Sequence, residues 1–347
     1  MSEGADPAVV GPYLAEALAE SAWKDCTVSL IAGGKSNLTY RVDSPAGSLV
    51  LRRPPLGHVL PTAHDMGREY RVMSGLEQTA VPVPKMRHFC EDVEVLGQPF
   101  YVMERVEGHI VTSKLPVGYA DTAADRTALS NGLVDVLAAL HSVDYAAVGL
   151  GEFGRPDGYM GRQLGRWSKQ WDATRIEGLE QVDRLAADLT AQLPATQRSS
   201  IVHGDYRLDN TMLHPTEVGR INAVLDWEMS TLGDPLADLG ILLVYWAQES
   251  DPDLRKQGAP VGAVTSLPGF LSRQQVAEGY AARTGLDVTD LPWYVAFGFF
   301  KLAVVCAGIA MRVKFGAMVG EGFDGFEERV PPLIAIGQAT LADRQLY

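Results

Sequence analysis

Ile201-Val202-His203-Gly204-Asp205-Tyr206-Arg207-Leu208-Asp209-Asn210, with Asn222-Ala223-Val224-Leu225-Asp226-Trp227-Glu228 after it, is the stretch whose reading decides the fold. Ile201 and Val202 predict a short buried strand running into a loop. Thr211-Met212-Leu213 predicts a second strand, His214-Pro215 with Gly219-Arg220 a turn, and 221–225 a third strand. Folded as a hairpin, the stretch brings Asp205 and Asn210 of the loop beside Asp226, which ends its own strand.

That set of side chains is what phosphoryl transfer from ATP requires. One carboxylate orients the acceptor hydroxyl and takes its proton. A carboxylate and an amide oxygen hold Mg²⁺ on the phosphates. His203-x-Asp205 followed five positions later by Asn210 has the spacing of the kinase catalytic loop H-R-D-x-x-x-x-N, with Gly204 in the middle. Asp226 follows sixteen residues after Asn210, where a kinase has its metal-binding Asp. Any one of these residues alone reads as a solvated turn. The ordered set, each member at a strand end, does not.

The same residues carry a resemblance. His203-Gly204-Asp205-x-x-x-x-Asn210, Leu225-Asp226-Trp227-Glu228 and Gly233-Asp234-Pro235-x-x-Asp238-Leu239 resemble the aminoglycoside phosphotransferase family, which includes choline-kinase-like enzymes. More narrowly, residues 30–316 resemble the kinase-like domain joined to some acyl-CoA dehydrogenases and its stand-alone bacterial relatives. The resemblance implies an α+β, two-lobe protein-kinase-like fold. An N-terminal antiparallel sheet lobe (1–106) binds nucleotide, and a larger, mainly helical lobe (107–347) carries catalysis and the acceptor.

Composition agrees with an ordinary globular chain: 46% hydrophobic and 21% charged over 347 residues. A net charge of −13 disfavours wholesale binding to nucleic acid or to an anionic membrane. Cys26, Cys90 and Cys306 are far apart and suit a reducing cytoplasm. The acidic start lacks a signal-peptide pattern. The apolar run 291–311 is interrupted by Lys301 and reads as a buried core helix.

Upstream of the decisive stretch, 12–20 predicts a helix and 27–31 a strand. Gly34-Lys35-Ser36 tempts toward a phosphate loop, but position 29 is Ser29 and a strand pattern follows where that motif needs a helix. A glycine turn between strands instead resembles the kinase flap, with Gly34, Ser36 and Asn37 near the phosphates. The third strand, 48–52, carries Arg52 where kinases have Lys; an arginine here recurs in the dehydrogenase-linked subfamily, and Arg53 is the second candidate. Glu69, on a helix through Met66, Tyr70, Met73 and Leu76, is the candidate partner of Arg52, better placed than Glu77. Strands at 89–95 and 100–103 lead to Glu104-Arg105-Val106, whose backbone resembles the adenine-binding hinge.

Downstream the chain reads as mostly helical. Leu129, Leu133, Val136, Leu137 and Leu140 form an apolar stripe ending at His141, a packing or capping residue. On the segment 159–175, Arg162, Arg166 and Lys169 form a basic stripe beside Trp167 and Trp171. They are candidates for holding an anionic acceptor, against the reading of a solvated face over a core tryptophan. Asp238 is assigned to anchoring the loop. The Gly/Pro-rich 254–268 is a candidate lid, and 272–283 and 291–311 are the last helices.

The expectation is therefore an ATP- and Mg²⁺-dependent phosphotransferase with Asp205 as base. Asn210 and Asp226 are the metal ligands, Arg207 neutralises charge on the transferring group, and Glu228 is a weaker contact. The small-molecule acceptor stays open between a polycationic aminoglycoside and a hydroxyacyl-CoA or other metabolite. A nucleotide-binding pseudokinase or interaction protein is the alternative, because the third-strand Lys is missing.

Overall fold

A computed structural model describes residues 4–31, 37–56, 65–258, 263–315 and 325–347. The strands are β1 (Thr27–Leu30), β2 (Leu38–Ser44), β3 (Gly47–Arg53), β4 (Met86–Cys90), β5 (Phe100–Glu104), β6 (Ser200–Val202), β7 (Thr211–Leu213), β8 (Ile221–Val224) and β9 (Thr231–Gly233). The helices are α1 (Pro7–Ala17), α2 (Met66–Leu76), α3 (Val93–Leu96), α4 (Ala123–His141), α5 (Tyr159–Thr174), α6 (Glu180–Ala191), α7 (Leu236–Val244), α8 (Asp253–Gly258), α9 (Arg273–Thr284), α10 (Leu291–Lys314) and α11 (Val330–Asp343).

The first five strands form one antiparallel sheet in the order β1-β2-β3-β5-β4. Side chains alternate across a strand, and here the alternation feeds two cores. Leu49, Leu51, Phe100 and Val102 pack with Val10 and Leu14 of α1. Val50, Tyr101 and Met103 face the other way, onto Met66, Val72 and Met73 of α2 and the main core. With both faces covered, the sheet holds Arg52 and Tyr101 at fixed height above the second lobe.

Three expectations are corrected here. The first helix spans Pro7–Ala17, not 12–20, because Asp6 caps it through the Ala8 N–H and Pro7 takes the first turn. Residues 93–96 form a helical turn instead of continuing a strand: Asp92 caps Glu94, and Gly97 closes it at φ +80°. Within the described part of 254–268 the chain is tied down. Arg255 is buried and donates to the carbonyls of Leu243, Val244 and Trp246, so this part is no free lid.

In the helical lobe, α4 starts with a capping box between Thr122 and Asp125 and buries Leu129, Leu133, Leu137 and Leu140 as its periodicity predicts. α10 is the one described helix long and apolar enough to cross a membrane, but most of that window is buried. It packs against α5, α7 and α11. α7 can approach so closely because Gly240 faces the Tyr294 backbone, where a Cβ would lie 2.8 Å away. β7 and β8 form the expected hairpin, and β6 pairs antiparallel with β9, which the sequence did not reveal.

Candidate active site

β6 delivers the chain into the loop at His203. The turn needs Gly204 at φ +85°, where a Cβ would come within 2.9 Å of Met229. Asp238, at the start of α7, fixes the turn from below. Its carboxylate accepts the His203 N–H at 2.6 Å and the Gly204 N–H at 2.7 Å. His141 sits between Asp238 (3.2 Å) and the Tyr280 hydroxyl (2.7 Å), all of it buried. Burial pushes the Asp238 carboxyl up, but His141 and the His203 N–H outweigh it and the net direction is down. The anchoring role read from the sequence for Asp238 thus has a geometry, and His141 is its packing partner.

Asp205 and Asn210 meet directly. The Asn210 Nδ2 donates to the Asp205 carbonyl at 2.8 Å and to its Oδ2 at 2.9 Å. With the nitrogen committed, Oδ1 is the atom of Asn210 suited to a metal. Arg207 pairs with Asp205 at 3.2 Å and with Asp209 at 2.9 Å, over the Tyr245 ring.

Asp226 is clipped alongside. The Leu225 N–H donates to the Asn210 carbonyl at 2.8 Å. His203 Nε2 donates to the Leu225 carbonyl at 2.8 Å while its Nδ1 accepts the Asp205 N–H. Asp226 itself has φ +65°, ψ +61°, a left-handed conformation disfavoured outside glycine and found where neighbours over-determine it.

Arg52 reaches across from β3. Its Nη2 lies 2.7 Å from Asp226 and its Nε 3.5 Å from Glu69. Glu69 accepts from Asn37 Nδ2 and the Tyr101 hydroxyl, both at 2.9 Å. Burial pushes the Glu69 carboxyl up to about 7 against the pull of Arg52. The open choices from the sequence close here. Arg53 donates to the carbonyls of Gly4, Pro54 and Leu96. Glu77 accepts the Met86 N–H. Tyr101 was missed, because an apolar-strand tyrosine gives no signal until its hydroxyl is seen on Glu69.

Between the lobes lies a cleft of about 690 Å³ lined by Leu30, Val50, Met103, Val106, Met212 and Leu225, among others. Glu104 and Val106 both line it. The Glu104 N–H already donates to the Lys85 carbonyl, so that group is not offered to a ligand. Asn37 is buried beside Glu69; Gly34 and Ser36 lie outside the described residues.

On α5, Arg162, Arg166 and Lys169 are exposed and line an open depression of about 550 Å³. Arg162 is committed to the Arg155 and Asp157 carbonyls at its own helix entry. Trp171 is core, whereas Trp167 is half-buried, with Arg166 at 5.8 Å and the Lys301 Nζ at 5.5 Å from its ring. Lys301 also donates to the Gly204 carbonyl at 2.9 Å, so α5 and the His203–Asp205 turn meet at this side chain. Sequence reasoning saw Lys301 only as an interruption. A lone cation in an apolar helix was the signal that it has a partner.

Comparison with known proteins gives one direction. The sequence model of the phosphotransferase enzyme family (APH) matches residues 27–260. Mouse acyl-CoA dehydrogenase family member 10 is 39% identical over 82% of this chain, which spans 26% of that relative's length. A crystal structure from Ralstonia eutropha JMP134, provisionally assigned as an aminoglycoside phosphotransferase, is 35% identical with a TM-score of 0.83, covering 97% of this chain and 98% of that one. Aminoglycoside phosphotransferase APH(4)-Ia, solved as a thermostable mutant with ADP and hygromycin B, is 15% identical with a TM-score of 0.59 over 96% and 98% of the two chains; it shares the fold.

Proposed function

The chain belongs to the phosphotransferase enzyme family, and from that premise we propose that it transfers the γ-phosphoryl group of ATP, with Mg²⁺, to a hydroxyl of a small molecule. The observation that carries the reading is the Asn210–Asp205 bond within the loop together with the ties of His203 and Asn210 to Leu225, next to Asp226. Asp205 orients the acceptor hydroxyl and takes its proton. Asn210 Oδ1 and the Asp226 carboxylate are hard oxygen donors of the kind Mg²⁺ takes alongside phosphates. Bound Mg²⁺-ATP supplies the phosphoryl group and neutralises its oxygens. Arg52 binds phosphate oxygens while Glu69, Tyr101 and Asn37 hold its end of the network. Arg207 neutralises charge beside Asp205. The adenine lies in the interlobe cleft against the backbone of Val106 and the carbonyl of Glu104. We place the lobe division at Val106.

For the acceptor, we favour a hydroxyacyl-CoA or a related anionic metabolite over a polycationic aminoglycoside. We assign the acceptor to the side of Asp205 flanked by Arg207, Lys301 and Arg166, with Lys169 beside Arg166; cations there repel an aminoglycoside. The name of the mouse relative points the same way. This reading needs neither nucleic acid nor membrane, and we place the chain in the cytoplasm.

The test is consumption of Mg²⁺-ATP with aminoglycosides, choline-like amines, sugars and hydroxyacyl-CoA esters, with Asp205→Ala as the blank. Turnover on one class above the blank supports the reading and fixes the acceptor. A second reading, a pseudokinase that binds nucleotide without turnover, draws on the Arg52–Asp226 pair, which sets a guanidinium on a proposed metal ligand. It is favoured if ATP binds and no class is turned over.

A further inference from the structure

α10 is an apolar helix whose one charge before Arg312 is Lys301. Placing an ammonium in such a helix carries a desolvation penalty of several kcal/mol unless it is paired. A methionine would fill the same space without that penalty. Burial pushes the Lys301 ammonium down, with Asp205 and Asp238 pulling it up and Arg166 and Arg207 adding to the fall. Packing alone therefore gives no reason for a lysine here, and its hydrogen bond does.

That bond falls on one particular atom. The Gly204 carbonyl and the Asp205 N–H belong to the same planar peptide unit. Lys301 Nζ holds the carbonyl at 2.9 Å, and His203 Nδ1 accepts the N–H at 3.2 Å. On the other side of Gly204, Asp238 holds its N–H. A glycine at positive φ is the residue whose neighbouring peptide reorients most easily. Here that peptide directly precedes Asp205 and sets where its carboxylate points.

The geometry points to Lys301 as a positioning residue: its ammonium locks the Gly204–Asp205 peptide so that the Asp205 carboxylate stays on Asn210 and faces the acceptor. This rests on the proposed role of Asp205 as base. Lys301 touches neither nucleotide cleft nor metal ligands, so its loss acts on the chemical step and leaves nucleotide binding intact. Because the same Nζ lies against Trp167, it also ties the position of α5 to that of the base.

The test compares Lys301→Met, which keeps the apolar stem and removes the donor, with Lys301→Arg, which keeps a donor. The first readout needs no acceptor: backbone amide exchange in peptides covering 201–210. Lys301→Met is expected to speed exchange at Gly204 and Asp205 by about tenfold, the worth of one hydrogen bond, with β3 peptides unchanged and Lys301→Arg close to wild type. The second readout is Mg²⁺-ATP consumption with the acceptor panel above. Here kcat is expected to fall ~10- to 100-fold, the scale of a misplaced catalytic group, with KM for ATP within about twofold and recovery in Lys301→Arg. Should Lys301→Met fail to fold, Lys301→Gln, whose shorter amide falls short of Gly204, takes its place. Wild-type exchange in the donor-less variant overturns the proposal, as does unchanged kcat. If wild-type chain gives no turnover above Asp205→Ala, the functional reading fails, and the exchange arm still decides the role of Lys301.

Discussion

The His203–Asp205 turn and the α5 face meet at Lys301 and are built in opposite ways. On the turn, the backbone N–H groups of His203, Gly204 and Asp205 each have a side-chain acceptor within 3.2 Å, and two of the three are on the buried Asp238. On α5, Arg166 and Lys169 stand exposed over an open depression. A reacting carboxylate must be placed to a fraction of an ångström, which takes buried, over-determined hydrogen bonds. Drawing in a charged acceptor needs field more than fixed geometry, and exposed cations supply that while staying hydrated. On the proposed reading, the turn carries the chemistry and the helix face the choice of acceptor.

The largest test of that division is Asp205→Ala. It is expected to lower kcat by ~10²- to 10⁴-fold, the usual worth of a general base, with nucleotide affinity kept; retained turnover would move the chemistry off the turn. Next is Asp238→Ala, which strands His141 and two buried N–H groups. Each buried group left without its carboxylate partner is expected to cost about 1–3 kcal/mol in urea unfolding. A loss under about 1 kcal/mol would mean that the turn is not held from below.

Glu69→Gln asks whether the same rigidity extends into the sheet lobe. The Glu69 carboxyl is raised from 4.5 to about 7 in the folded chain. Between those values the folded chain keeps a proton that the unfolded chain has released, so stability falls as pH rises through the window. Glu69→Gln should flatten that fall in thermal unfolding followed from pH 4.5 to 7. An unchanged slope would place the titration elsewhere.

The smallest effect belongs to α5. Arg166→Ala and Lys169→Ala remove exposed charges, each worth at most about 1 kcal/mol. Acceptor KM is expected to rise by roughly tenfold or less, more at low salt, with kcat unchanged. If acceptor affinity does not move, the helix face has no part in recognition.

The two regions also differed in how far they could be read beforehand. That the Asp205–Asn210 loop meets the Asp226 segment was legible because the motif spacing is fixed and each residue lies beside a strand end. The α5 helix was legible from periodicity, but the fates of its residues were not: Arg162 folds back on its own helix entry, and Trp167 splits from Trp171 by meeting Lys301. β9 went unseen because three residues carry too little pattern. The 93–96 turn was misread because its cap, Asp92, and its stop, Gly97, outvoted the apolar residues between them.

The sequence by itself determined the strand-loop-hairpin order, the helix stripes and the identity of the groups fit for phosphoryl transfer, since local spacing and side-chain chemistry are properties of neighbours along the chain. Only the tertiary structure decided which partners those groups have. Arg52 rather than Arg53 meets Asp226, Tyr101 completes Glu69, and Lys301 lies ninety-seven positions from the carbonyl that it holds. Those pairings follow from how the lobes and α10 pack. Burial forces each polar group in the packed interior to find a partner by proximity in space, which sequence separation does not encode.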